Sequence, residues 1–168
     1  KAPLYIVHVS AKESVDLIRE ARKAGDTVFG ETCPQYLVLD ESRYDDPEEG
    51  LKFILSPPLR AKEHQAAIWE GIKDGTLQVI ATDHCSFDYH GDKQNGKDDF
   101  TKCPNGAPGV ETRMPIVFSE GVSKGRMSLN KFAAVTSTNP AKIFGMYPKK
   151  GVLAVGSDAD IVLMNPNM

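Results

Sequence analysis

Residues 4–32 read LYIVHVSAKESVDLIREARKAGDTVFGET, and the parsing of this stretch decides the fold class. It opens on LYIVHVS, residues 4–10, which is short, β-branched and aromatic. That composition reads as a strand buried on both faces. Ser10 and Glu13 have the spacing of a capping box for the next element. Leu17, Ala21 and Ala24 recur at i, i+4 and i+7 with Ile18 beside them, which predicts an amphipathic helix. Gly25 is placed to end it. TVFGETC then begins a second strand, over about residues 27–31. Strand, helix and strand in that order make a parallel βαβ unit.

The alternation continues downstream. Residues 40–50 are acidic and read as an exposed loop, and KFILSPPLR is a short apolar run halted by Pro57-Pro58. A helix is predicted over about residues 62–73, with Ile68, Trp69 and Ile72 on one side and Gly75 after it. LQVIATD is the next strand. From His84 to Gly109 the chain is rich in Asp, Asn, Gly, Lys and Pro; so long a loop in a compact domain reads as a lid or a substrate loop. VETRMPIVFSEGVSKG reads as mixed helix. Ser128 is placed to cap a helix through Phe132 and Val135, which Asn139-Pro140 should break before a short helix to Gly145. The tail, GVLAVGSDADIVLM, reads as glycine-punctuated short strands. No internal repeat and no low-complexity segment is present.

Buried strands alternating with helices predict an α/β fold with a parallel sheet. No G-x-G-x-x-G or P-loop pattern follows any strand, so a nucleotide-binding doubly wound fold has no support. A (β/α) barrel has some: its chemistry sits at the C-terminal ends of strands, and three strands here end on His8, Glu31 and Asp83.

The bulk composition is that of a soluble globular chain, 40% hydrophobic and 26% charged. A net charge of −3 gives no reason to expect nucleic acid or an acidic membrane as partner. No apolar run reaches the roughly 18–20 residues of a membrane helix, and KAPLYIVHVS is not a signal peptide. Cys33, Cys85 and Cys103 form no C-x-x-C pair, which argues against a zinc knuckle and for a reduced, cytoplasmic setting. The sequence has no initiator Met, begins on a strand and ends as new strands open, so the expectation is a section of something longer.

Each candidate site residue has an ordinary reading beside its functional one. His8, between Val7 and Val9, is either a core histidine satisfied by a hydrogen bond or a metal ligand or base at a barrel mouth. Asp83, closing VIATD, is either a cap or ion-pair partner, or a metal ligand and proton carrier. A buried carboxylate demands a nearby cation in any case. His84 is a neighbouring partner or solvent-facing. Ser56 in SPPLR and Asn105 in PNGAPG sit in rigid turns that can aim backbone groups at a flat polar ligand, though turn chemistry alone explains both. His64 and His90 read as surface residues.

YIVHVS, SPPLR, ATDHCSFD, GKDDFT and PNGAPGVETRM occur in that order. Together they resemble the dihydropyrimidinase/hydantoinase branch of the cyclic amidohydrolases. TSTNPAKIFGMYPKKGVLAVGSDADIVLMNP resembles the end of that family's barrel and its run into a small β-rich domain. The TDH motif alone also fits dihydroorotase or allantoinase; SPPLR with TDHCSFD and NGAPGVE favours the hydantoinase branch. The resemblance covers essentially the whole chain.

It implies the C-terminal part of a TIM-type (β/α) barrel over residues 1–150, and the start of a small β-sandwich domain over residues 151–168. It implies hydrolysis of 5,6-dihydropyrimidines or 5-substituted hydantoins with two divalent metal ions, zinc by expectation, bridged by a carboxylated lysine and a hydroxide. His8 matches a ligand of one metal. Asp83 matches a ligand of the other and the acid/base that moves the proton to the leaving nitrogen. Ser56 and Asn105 match positions whose backbone groups bind the substrate's ring amide. The family's H-x-H pair, its lysine, a further histidine and a carbonyl-polarising tyrosine belong to upstream segments, and no H-x-H occurs in these residues. The 168 residues alone are therefore expected to be inactive, and the full enzyme a cytoplasmic homotetramer. The other reading is a non-catalytic dihydropyrimidinase-like scaffold protein; its relatives typically replace the aspartate that stands here as Asp83.

Overall fold

The computed structural model describes residues 2–166. Three strands, β1 (Leu4–Ile6), β2 (Val28–Thr32) and β3 (Val79–Ile80), form one sheet in the order β1-β2-β3, and both pairings are parallel. The predicted α/β class with a parallel sheet is therefore present. The helix α1 (Lys12–Lys23) connects β1 to β2. The chain from β2 to β3 passes through α2 (Pro34–Val38) and α3 (Glu63–Asp74). Because all strands run one way, their C-terminal ends share one edge.

The core forms where α1 and α3 cover the sheet. Val15 and Ile18 of α1, Ile68 and Ile72 of α3, and Leu77 and Ile80 beside and on β3 are almost wholly buried. Burying each such side chain contributes about 1.5–3 kcal/mol. A Cβ at Gly71 would stand 2.8 Å from Val15 Cγ1, and only a glycine allows α3 to approach α1 this closely. Gly75 ends α3 at φ 85, as its position in the sequence predicts.

Several expectations change. The strand expected over residues 4–10 ends at Ile6, and Leu4 and Val7 are exposed, because β1 is an edge of the sheet. The capping box does not form: α1 begins after Ala11 with no side-chain cap, and the backbone N–H of Lys12 donates to His64 Nδ1 at 2.9 Å instead. Thus His64, read as a surface residue, closes the N-terminus of α1. The buried face of α1 is Val15 and Ile18, while Leu17 lies in solvent, since a helix 3.6-residue repeat admits both stripes and packing on α3 selects one.

Beyond β3 the chain turns helical: α4 (Arg113–Val117) runs into a π-helical turn at Phe118–Ser123. The Ser128 side chain accepts from Lys131 N at the start of α5 (Leu129–Ala133), as predicted. The break expected at Asn139-Pro140 is absent. A π-helical turn, Ala134–Thr138, leads directly into α6 (Asn139–Ile143) with Pro140 in its first turn, where its missing N–H leaves no hydrogen bond broken. In the tail, residues 151–166 contain no strand, against expectation, and Leu153, Val155, Ile161, Val162 and Leu163 are exposed. An apolar segment with no neighbouring strand has no ladder to join. No helix among the described residues is long and apolar enough to cross a membrane.

Candidate active site at the strand ends

Among the described residues, two non-glycine residues adopt positive φ, and they are His8 (φ 41) and Asp83 (φ 49). Left-handed backbone costs roughly 1–2 kcal/mol for a residue with a Cβ. Such strain gathers where side-chain placement matters more than stability. His8 lies just past the end of β1 and Asp83 just past the end of β3. Both therefore stand on the C-terminal edge of the sheet, two strand spacings apart, roughly 10 Å by sheet geometry.

The strain at His8 has a traceable origin. Leu4 pairs with Val28 and Ile6 with Gly30, and Leu4 N donates to Thr27 O. Continuing that pattern would bring His8 N to Glu31 O. It is Val9 N that donates to Glu31 O, at 2.7 Å. One extra residue has entered the strand, a β-bulge, which re-aims the side chain at that point. Thr32 Oγ1 donates to Val9 O at 2.7 Å and fixes the returning chain.

Between the two residues lies the end of β2. Tyr5 Oη donates to Glu31 Oε2 at 2.5 Å, tying β1 to β2. Burial, then this bond, pushes the Tyr5 phenol above the usual tyrosine range. Burial, then the negative charges of Glu31 and Asp83, pushes the Cys33 thiol up. A raised thiol pKa disfavours the thiolate, the nucleophilic form of Cys33. Neither the Tyr5–Glu31 pair nor the cage around Cys33 was legible in the sequence, because both join residues of different strands.

Asp83 is exposed, so the buried, cation-demanding carboxylate expected from the sequence is corrected. The chain on both sides of it is pinned. Arg113 Nη1 donates to Ile80 O at 3.0 Å, and Gln35 Nε2 to Thr82 O at 3.3 Å. His84 Nδ1 accepts from Gly109 N at 3.0 Å and Val110 N at 3.3 Å, so this nitrogen carries no proton. Residues 84–109 are not structureless. His84 bridges to Ala107, and 3-10 turns form at Lys93–Gly96 and Phe100–Lys102.

Ser56 and Asn105, far apart in sequence, meet at one shallow cleft with Tyr44, Ile54, Leu55 and Pro58. Gly106 N donates to Ile54 O at 3.1 Å, joining the two turns directly. Tyr36 Oη donates to Pro57 O at 2.7 Å and braces the Ser56 turn from below. His90 is exposed, as expected. Among the described residues no three of His, Cys, Asp and Glu stand close enough together to hold a metal ion.

A parallel α/β sheet carrying an imidazole and a carboxylate on strained backbone at its C-terminal edge has the build of an enzyme that works from its strand ends. The family model for the amidohydrolase family matches residues 5–168, and the chain belongs to that family. It is 54% identical over 166 residues to a D-hydantoinase from Geobacillus stearothermophilus, covering 98% of this chain and 35% of that protein. A D-phenylhydantoinase from Escherichia coli O1:K1 / APEC is 54% identical over 165 residues, covering 98% of this chain and 36% of that protein. The crystal structure of dihydropyrimidinase from Brevibacillus agri NCHU1002 superposes with a TM-score of 0.92 at 55% identity, over 94% of this chain and 34% of that one. The chain thus spans about a third of the length of the relatives it matches.

Proposed function

We propose that this chain is the C-terminal section of a metal-dependent hydrolase that opens the cyclic amide bond of 5,6-dihydropyrimidines or 5-substituted hydantoins. The observation that carries this reading is the pair of strained strand-end residues, His8 and Asp83, on one edge of the sheet. The names of the relatives point to the same chemistry.

On this reading β1 to β3 are successive strands of a TIM-type barrel occupying residues 1–150. Their consecutive, all-parallel order agrees with this. Residues 151–168 are the run into a small β-sandwich domain.

His8 and Asp83 would each supply one ligand to a pair of divalent metal ions, zinc by proposal. Among the described residues too few donors stand together to complete either site, and the remaining ligands, with a carboxylated lysine, would come from the longer polypeptide. Bound metal lowers the pKa of water and polarises a carbonyl oxygen. The residues of this chain do the rest. Asp83 accepts a proton from the attacking water and delivers it to the leaving ring nitrogen. Backbone groups of Ser56 and Asn105 hold the flat amide in the cleft they share. The unpaired cysteines agree with a cytoplasmic setting, and a homotetramer is the proposed assembly.

The test is Asp83→Asn in the full-length polypeptide. Asn tolerates left-handed backbone better than other residues with a side chain, so the fold survives while the proton carrier is lost. Turnover of dihydrouracil or hydantoin should fall at least about 100-fold, with circular dichroism unchanged. Near wild-type turnover would remove Asp83 from the chemistry.

A further inference from the structure

Among the described residues Lys93 is the one buried cation, and the family chemistry leaves it unexplained. It lies in the loop after β3, in the turn Lys93–Gly96, and is 3% exposed. Among the described residues no carboxylate pairs with it. Its ammonium donates instead to two backbone carbonyls, Ile54 O at 2.6 Å and Pro104 O at 2.8 Å, with the Phe87 ring centroid at 5.7 Å. Burying an ammonium without a counter-ion is unfavourable, and burial accordingly pulls the Lys93 pKa down. A side chain that merely filled space would be apolar.

The two acceptors are not arbitrary. Ile54 stands two residues before Ser56 and Pro104 one before Asn105, so the lysine bridges the two walls of the cleft. The only other direct backbone strap described between these turns is Gly106 N to Ile54 O. Pro104 O has its charge-assisted bond from Lys93, and such bonds are the stronger kind. The far wall is closely packed: a Cβ at Gly106 would meet Cys85 O at 2.5 Å.

We propose that Lys93 is a positioning residue that sets the distance between the Ser56 and Asn105 turns and so fits the cleft to a flat cyclic amide. This rests on the hydrolase reading above. Lys93 touches no reacting atom; it acts through the two turns.

The experiment compares wild type, Lys93→Met and Lys93→Arg in the full-length enzyme, with dihydrouracil as probe. Lys93→Met keeps the apolar stem and removes both hydrogen bonds. KM should rise about tenfold or more while kcat and metal content change little, and Lys93→Arg should recover part of the loss. Amide exchange at Gly106 should quicken in Lys93→Met. An unchanged KM with unchanged exchange overturns the proposal, and so does a loss confined to kcat and metal content. If Lys93→Met does not fold, wild-type exchange decides. Saturation with a non-hydrolysed cyclic amide must slow exchange in residues 54–56 and 105–106, and absence of that protection overturns the proposal. Wild-type protein without any cyclic amidase activity would instead overturn the hydrolase reading, and the exchange difference at Gly106 would still report on the clamp.

Discussion

His8 and Asp83 show how a single backbone angle separates two readings of a residue. A core histidine in a regular strand needs no positive φ; His8 has φ 41 because a bulge carries it out of the ladder. Removing its imidazole should therefore act on the metal and not on the core. In the full-length protein, His8→Ala should lower metal occupancy, read as moles of metal per mole of protein by elemental analysis. Unchanged stoichiometry would return His8 to the role of a core histidine. The residue types were legible from the sequence. Their strain was not, since φ at residue 8 depends on which backbone group of β2 the chain finds as it returns.

At the scale of elements, the sequence placed β1, α1, β2, α3 and β3 in the right order, but it misjudged faces and caps, and the strands it placed in the tail are absent among the described residues. Leu17 lost to Val15 and Ile18, and His64 from a distant helix took the place expected of Ser10 and Glu13. Both outcomes follow from the closeness of α1 to α3, which Gly71 permits. Gly71→Ala puts these effects in opposition. Alanine favours the helix by about 1 kcal/mol, but its Cβ would sit 2.8 Å from Val15 Cγ1 and 3.3 Å from Leu77 Cγ, neither at the end of a long flexible chain. Overpacking of this kind costs about 1–3 kcal/mol. The variant should unfold at lower temperature than wild type; an equal or higher Tm would mean the helices can separate at little cost.

At the scale of the whole molecule, burial raises the pKa values of Tyr5, Tyr36, Tyr44 and the Cys33 thiol together. A group whose folded pKa lies above its unfolded one adds stability that is complete below the unfolded value and is lost as pH climbs toward the folded one. The fold should accordingly weaken above about pH 9, where an unburied thiol begins to ionise, and further above about pH 10, where an unburied phenol does. A Tm series from pH 7 to about pH 11 checks this, and Tyr5→Phe should flatten part of the fall. A flat profile would show these groups to be less buried in solution.

The sequence by itself determined the α/β class, the parallel βαβ order, the helix ends at Gly25 and Gly75, and the identity of the strand-end residues. These are local properties: hydrophobic period, propensity and the conformational freedom of glycine act over a few neighbours. Only the tertiary structure decided that His8 is bulged, that burial beside Glu31 and Asp83 pushes the Cys33 thiol up, and that Ser56 and Asn105 share one cleft whose two turns Lys93 ties together. Those outcomes join residues tens of positions apart, and a pattern with a period of two or 3.6 residues carries no information about which distant group fills a hydrogen bond or displaces water.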